Sequence, residues 1–223
     1  NEWGNRTRPY WSGGLSVGRA PRYTTIRNNS VYNNWGEGVM AFETNQTAGE
    51  GNTIIEDNVI YDNWAVNLYN CNSHDTIIRR NVVYRTEEGY NKGFNGSGAN
   101  IAYCDEQYIP GPTQGRSYNV TIINNMVVGG SYGFTFWLQS PVNDGGLRNV
   151  IIAYNTFANI NNSLSRNVFW IQDGGIHENS RIENNIFLQE DSQPIAYLAK
   201  DDPRLQFSNN LWSKIPPASV CGT

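Results

Sequence analysis

The chain is poor in the residues that most often anchor function, with 3 Cys, 2 His, 2 Met and 3 Lys among 223 residues. Three cysteines, Cys71, Cys104 and Cys221, are too few for a disulfide scaffold and lack the paired spacing of a structural zinc site. Charged residues make up 16%, below the ~25% of an ordinary soluble domain. A formal charge of −4 supplies no basic face, so no nucleic-acid partner is expected. No run approaches the ~20 apolar residues of a membrane span, so no membrane partner is expected either. Nor does any stretch show the i, i+3, i+4 apolar spacing of a convincing helix. The low charge does not imply disorder, because 39% hydrophobic and 13% aromatic residues give ample surface to bury.

What the chain has in excess is asparagine, 32 of 223 residues. Six Asn-x-Ser/Thr sequons, starting at Asn5, Asn28, Asn45, Asn95, Asn119 and Asn161, arise readily by chance in such a composition.

The asparagines are ordered. Seven segments share one pattern, centred on Asn29, Asn58, Asn81, Asn125, Asn155, Asn185 and Asn210. Three residues before each stands Ile26, Ile55, Ile78, Ile122, Ile152, Ile182 or Phe207. Two residues after each stands Val31, Ile60, Val83, Val127, Phe157, Phe187 or Trp212. Each unit is a short β-branched run, a polar bend and a second apolar run. One such unit cannot bury its apolar face alone, so neighbours must stack as in a solenoid. Parallel stacking brings equivalent positions ~4.8 Å apart. At the bend, Asn tolerates left-handed geometry and its amide donates and accepts along the stack.

These segments resemble the right-handed parallel β-helices of the pectate-lyase-like superfamily, those with carbohydrate-binding and sugar-hydrolase repeats. The resemblance runs from about Arg22 to Trp212. It implies an all-β, right-handed, single-stranded parallel β-helix of about seven coils. Residues 1–22 read as an N-terminal cap or lead-in, 23–213 as the β-helix and 214–223 as a tail. The chain begins directly at Asn1 and no capping helix follows Trp212, so it reads as part of a longer protein. The resemblance further implies a secreted or cell-surface protein with a polysaccharide or glycan partner. An uncapped end also suggests end-to-end self-association.

A third strand per coil is placed at Val39–Phe42, Val66–Tyr69, Ala99–Ala102, Phe134–Trp137 and Phe169–Ile171. If Val66 and Leu68 point inward, Asn67 and Tyr69 point outward, and the same register turns out Asn100, Trp137 and Trp170. Flat aromatic faces beside amides suit sugar rings, so Asn67, Tyr69, Asn100, Trp137 and Trp170 are the expected substrate-binding residues. Aligned strand starts also stack Cys71 on Cys104, within the separation a disulfide tolerates; a bridge and a pair of reduced thiols both fit. Arg27, Glu56 and Arg79, with Asp57 and Arg80 beside them, read as a charge ladder that supports the sheet.

In β-helix polysaccharide lyases a Lys or Arg removes the proton next to a uronate carboxylate, while a metal ion or second cation stabilises the enolate. The resemblance therefore casts Lys92, Arg85 and Glu106 as the catalytic group, with calcium the candidate ion. They lie in or beside two insertions, Thr86–Ser97 and Cys104–Tyr118, that lengthen the third coil. A hydrolase would instead pair two carboxylates ~5–10 Å apart, drawn from Glu37, Glu43, Asp105, Glu106 and Asp173. The expected function is an extracellular carbohydrate-active β-helix that binds and cleaves a polysaccharide, with uronate lyase favoured over hydrolase. The alternative is a structural, adhesive or filament-forming module. His74 and His177 are lone loop histidines.

Overall fold

The computed structural model describes residues 13–18, 22–42, 52–86, 98–106, 116–138, 145–159, 166–172, 175–198 and 202–218. They form a parallel β-helix of seven coils, with three parallel seven-stranded sheets and no α-helix. The first sheet holds β1 (Leu15–Gly18), β4 (Val39–Phe42), β7 (Leu68–Cys71), β10 (Ala99–Asp105), β13 (Tyr132–Leu138), β16 (Asn167–Ile171) and β19 (Ala196–Leu198). The second holds β2 (Thr25–Arg27), β5 (Thr53–Glu56), β8 (His74–Arg79), β11 (Tyr118–Ile123), β14 (Ile151–Ala153), β17 (Ser180–Glu183) and β20 (Leu205–Ser208). The third holds β3 (Ser30–Tyr32), β6 (Val59–Tyr61), β9 (Val82–Tyr84), β12 (Met126–Val128), β15 (Thr156–Asn159), β18 (Ile186–Gln189) and β21 (Leu211–Trp212).

Both apolar columns read from the repeat lie inside. Ile55, Ile78, Ile122 and Ile152 are fully buried, as are Ile60, Val83, Val127, Phe157 and Phe187. The end members Ile26 and Trp212 are partly buried, because each has a coil on one side. Rings in these columns stack directly, as in Phe157 on Phe187 at 5.3 Å.

The seven asparagines form one continuous ladder. Each Nδ2 donates to Oδ1 of the next, at 3.1 Å from Asn29 to Asn58 and 3.0 Å at every later step to Asn210. The same Oδ1 also accepts the main-chain N–H of the preceding rung, as Asn125 does from Asn81 at 3.0 Å. From Asn58 onward each Nδ2 also reaches back to the carbonyl of an inward residue one coil earlier, as Asn81 does to Ile55 at 2.9 Å and Asn125 to Ile78 at 3.0 Å. The side chain must carry both a donor and an acceptor at a short reach. Among the natural residues this describes asparagine.

The left-handed residue is not the ladder Asn itself but the residue before it. Asn28, Asp57, Arg80, Asn124, Tyr154, Asn184 and Asn209 have φ between 53° and 59°. A second left-handed corner falls five residues earlier, at Tyr23, Asn52, Asp75, Asn119, Asn149 and Asn179. The later corner turns the chain from the second sheet into the third, and the earlier one marks the entry to the second sheet. Asn and Asp dominate both corners because their short polar side chains relieve the αL cost; Tyr23, Arg80 and Tyr154 bear it.

Two strands extend the solenoid beyond the sequence reading. β1 lies within the lead-in and pairs in register with β4, and β19 closes the first sheet. The charge ladder forms as expected: Arg79 Nε donates to Glu56 at 2.7 Å, and Arg80 bonds Asp57 and Glu56 at 2.7 and 2.9 Å. These pairs hold both carboxyls below their ordinary range.

The core contains one unmatched polar side chain in its first-sheet column. Asn70 is fully buried between Ala41 and Tyr103, and neither its Oδ1 nor its Nδ2 has a hydrogen-bond partner. Replacing such a group by an apolar one of similar volume removes a desolvation cost. Asn70→Leu is therefore expected to raise unfolding stability by about 1–3 kcal/mol in chemical denaturation. Ile78→Ala should cost about 2–5 kcal/mol through a core cavity. Asn125→Ala, which removes the acceptor shared by the Asn81 main-chain N–H and one Asn81 Nδ2 hydrogen, should cost at least ~2 kcal/mol. Asn210→Ala at the ladder end should cost less. Equal losses for Asn125→Ala and Asn210→Ala would contradict a ladder held from both sides.

Candidate functional site

The strand residues that turn away from the core on the first sheet fall into two columns. One runs Met40, Tyr69, Ala102, Thr135, Trp170, Tyr197, and the other Phe42, Cys71, Cys104, Trp137. This face carries its own apolar cluster, in which Val66, Tyr69, Cys71, Ala99, Ala102 and Cys104 are buried. Around it Met40, Phe42, Tyr132 and Trp137 are partly buried. Tyr69 packs between Phe42 at 6.2 Å and Trp137 at 5.9 Å. Tyr69 is thus a buried member of the cluster, and its phenol is raised well above its ordinary pKa by desolvation.

A second aromatic group continues along the same face. Trp170 lies 5.7 Å from Tyr132 and 6.0 Å from Tyr197, and Tyr197 is 46% exposed. Arg166 is exposed beside them, its guanidinium 5.9 Å over the Tyr132 ring with Nη1 donating to the Tyr132 hydroxyl at 3.2 Å. Trp170 and Trp137 both remain partly accessible. The tyrosine column of the third sheet differs. Tyr32, Tyr61 and Tyr84 stack nearly flat at 4.8 Å, so the inner ring covers its neighbours' faces and the column offers edges.

The amide expectation is corrected. Asn67 and Asn100 are fully buried. Asn67 Oδ1 accepts from Asn63 Nδ2 at 2.9 Å, and its Nδ2 donates to Asn100 Oδ1 at 2.8 Å. Asn100 Nδ2 closes the run on the carbonyls of Val128 and Gly129, at 2.9 and 2.7 Å. With Asn34, which donates to Asn63 at 2.8 Å, they make a second ladder at the corner between the third and first sheets. The reason is register. Regular strand pairing in this coil begins at Leu68 rather than Val66, so Val66 joins the outer cluster while Asn67 sits in the corner.

Arg85 is also a corner residue. It is buried, and its guanidinium donates to the main-chain carbonyls of Asn63 (2.6 Å), Ala65 and Gly98 (3.3 Å), which makes it a strut below the outer face. Lys92, Glu43, Asp173 and Cys221 lie outside the described residues. Glu106 does reach the outer face, where its Oε1 accepts from Trp137 Nε1 at 2.9 Å.

Asp105 and His177 turn inward. Asp105 accepts from Ser117 N at 2.7 Å and Gly146 N at 3.0 Å, and burial pushes its carboxyl up to about 6. His177 Nδ1 accepts from Leu147 N at 3.1 Å, and burial lowers its pKa to about 4. Together they clamp the segment from Gly145 to Leu147 from the coils on either side. The approach is tight: a Cβ on Gly146 would lie 2.2 Å from the Ile176 carbonyl oxygen. His74 is buried, with Nδ1 2.5 Å from Asp75 and its ring stacked 4.6 Å from Tyr118.

Among the described residues, one group of three potential metal ligands converges: Cys71, Cys104 and Glu106, with donor atoms within 4.8 Å of one another. Cys71 and Cys104 stand in register as unbridged thiols, as one of the two sequence alternatives held. Sequence reading missed Glu106 as their neighbour, although its place two residues after Cys104 puts it on the same face. Two sulfurs and one carboxylate suit a soft cation better than calcium, which takes 6–8 oxygens. No protein-family model matches the chain, and no curated protein matches it.

The clamp makes a pH prediction. His177 is neutral in the fold, and its depressed pKa means the unfolded chain binds more protons between about 4 and 6.5. Its contribution is present above 6.5 and is lost as pH falls toward 4. The stability of the wild type relative to His177→Gln should therefore rise with pH across this window, by up to ~3 kcal/mol at 1.36 kcal/mol per unit. A flat difference in denaturation curves between pH 4 and 7 would remove His177 from the clamp.

Proposed function

We propose that this protein is a carbohydrate-active β-helix of the pectate-lyase-like kind, secreted or on the cell surface, that binds an acidic polysaccharide along the outer face of its first sheet. The supporting observation is the run of Tyr132, Trp170 and Tyr197 along the solenoid axis with Arg166 beside it. Rings repeated from coil to coil match a polymer of repeated sugar units, since each pyranose presents an apolar face to an aromatic ring. Arg166 supplies a charge-assisted partner for a uronate carboxylate. Trp137 and Glu106 extend the same face, and cleavage by β-elimination remains assigned to the Lys92 insertion.

One observation favours the non-catalytic alternative. Asn67, Asn100 and Arg85, three polar groups expected at the substrate, are engaged in holding corners. A structural or adhesive module, associating end to end, needs such corners and no catalytic group.

Titration of the protein's tryptophan fluorescence with polygalacturonate and alginate distinguishes the two. Trp170→Ala and Arg166→Ala are each expected to weaken binding about tenfold or more, the ~1.4 kcal/mol scale of a ring contact or charged hydrogen bond. Ultraviolet absorbance from unsaturated uronate products reports cleavage. Failure of the wild type to bind any acidic or neutral glycan would leave the structural module.

A further inference from the structure

Register dictates where the two outer-face sulfurs lie. Cys71 ends β7 and Cys104 pairs with it directly in β10, so both thiols occupy the same column on adjacent coils. Glu106 follows Cys104 by two residues, so the strand repeat returns it to the same face. The three donor atoms lie within 4.8 Å of one another. Both thiols are fully buried, whereas Glu106 is half-buried, so the group opens to solvent through its carboxylate.

From this geometry we propose that Cys71, Cys104 and Glu106 bind a single thiophilic divalent cation of the zinc kind, two thiolates coming from neighbouring coils and one carboxylate closing the site. A tetrahedral ion with sulfur at ~2.3 Å holds its donors roughly 3.8 Å apart, so closure asks each pair to approach by about an ångström at most. Side-chain rotation covers that distance while the paired strands keep the backbone fixed. Each thiol releases its proton to solvent as the ion binds, and one thiolate pair with one carboxylate leaves a fourth position for water.

The surroundings orient this group. Trp137 Nε1 donates to Glu106 Oε1 at 2.9 Å, fixing one oxygen and leaving the carboxylate turned along the face. Asn72 Oδ1 accepts from Cys71 Sγ at 3.1 Å and from Glu106 N at 3.2 Å, linking the end of one strand to the ligand on the next. Hydrogen bonds of this kind outside the ligands set ligand direction and raise affinity. The three ligands do not include Tyr132, Trp170, Tyr197 or Arg166, so cation binding is read out without any glycan present.

The test is titration of the reduced 223-residue chain with Co²⁺, followed by Zn²⁺. One Co²⁺ per chain should bind with a sulfur-to-cobalt charge-transfer band and tetrahedral d–d bands, both bleached by Zn²⁺. Cys71→Ser and Cys104→Ser should each lose the charge-transfer intensity of one sulfur and most of the affinity. Glu106→Gln should keep the sulfur band yet weaken Co²⁺ at least ~10-fold, the scale that loss of an outer-shell partner already reaches. Glu106 is at the open edge, so this variant decides the matter even where the serine variants do not fold. A reduced wild type with an intact β circular-dichroism spectrum and no sulfur-to-cobalt band overturns the site. Binding unchanged in Glu106→Gln, or in a folded serine variant, overturns it equally.

Discussion

In-register stacking of coils is the constraint from which the rest of this structure follows. Every strand residue meets its counterpart one coil away at the strand spacing of ~4.8 Å, so each column must tolerate its own repetition. An amide does so at a bend, because Asn Nδ2 and Oδ1 are complementary to those of the next Asn. The ladder from Asn29 to Asn210 also takes up main-chain N–H groups and the carbonyls of inward residues that a sharp corner would otherwise bury unpaired. Flat rings repeat equally well, as in Tyr32–Tyr61–Tyr84, and so do alternating charges, as in Glu56 below Arg79. A column of like charges would not. The low charge content and the excess of asparagine are two consequences of one geometry.

The same constraint explains how much could be read in the sequence. A seven-fold repeat with invariant apolar positions survives insertions of any length, so the coils, both inward columns and the main ladder were legible. The intervals of 23 to 44 residues between rungs hid nothing, because the extra residues enter at the corners. What sequence pattern misplaced was fine register. Strict alternation from Val66 puts Asn67 outside, yet the corner sets two successive residues, Asn67 and Leu68, toward the interior. One residue of offset converted supposed ligand groups into a second amide ladder. The left-handed position was displaced by one for a similar reason: Arg80 and Tyr154 occupy it, and neither residue type advertises αL geometry. β1 was invisible because Gly13, Gly14 and Gly18 dilute its apolar signal.

Columns differ in how uniform they are, and that difference marks out the candidate site. Uniform columns, such as the ladder Asn or the inward Ile and Phe, are explained by stacking alone. The outer face of the first sheet is uneven: Met, Tyr, Ala, Thr, Trp and Tyr in one column, and Phe, Cys, Cys and Trp in the other. Nothing in the stacking rule requires this variety, and here partly exposed rings, a guanidinium, a carboxylate and two thiols gather. The outward positions of Trp137 and Trp170 were legible because these residues belong to such uneven columns. They were misread where a structural column passed close by, as with Asn67, Asn100 and Arg85.

Within that face, the small residues decide what the large ones can do. Ala102 and Thr135 interrupt the aromatic column between Tyr69 and Trp170, so the rings form two groups rather than one continuous stack. The first group closes over Tyr69 and the paired sulfurs, where Trp137 is fixed by its bond to Glu106 and cannot turn without releasing that carboxylate. Among the described residues the second group has no such tether beyond Arg166 on Tyr132, and Tyr197 stands open to solvent. The proposed glycan, with its repeated apolar faces, would therefore meet the second group first. A small ion that prefers sulfur, reaching the buried thiols past a carboxylate, is suited to the first. Division of one surface by two small side chains thus gives two environments of different chemistry on a scaffold whose other surfaces repeat a single theme.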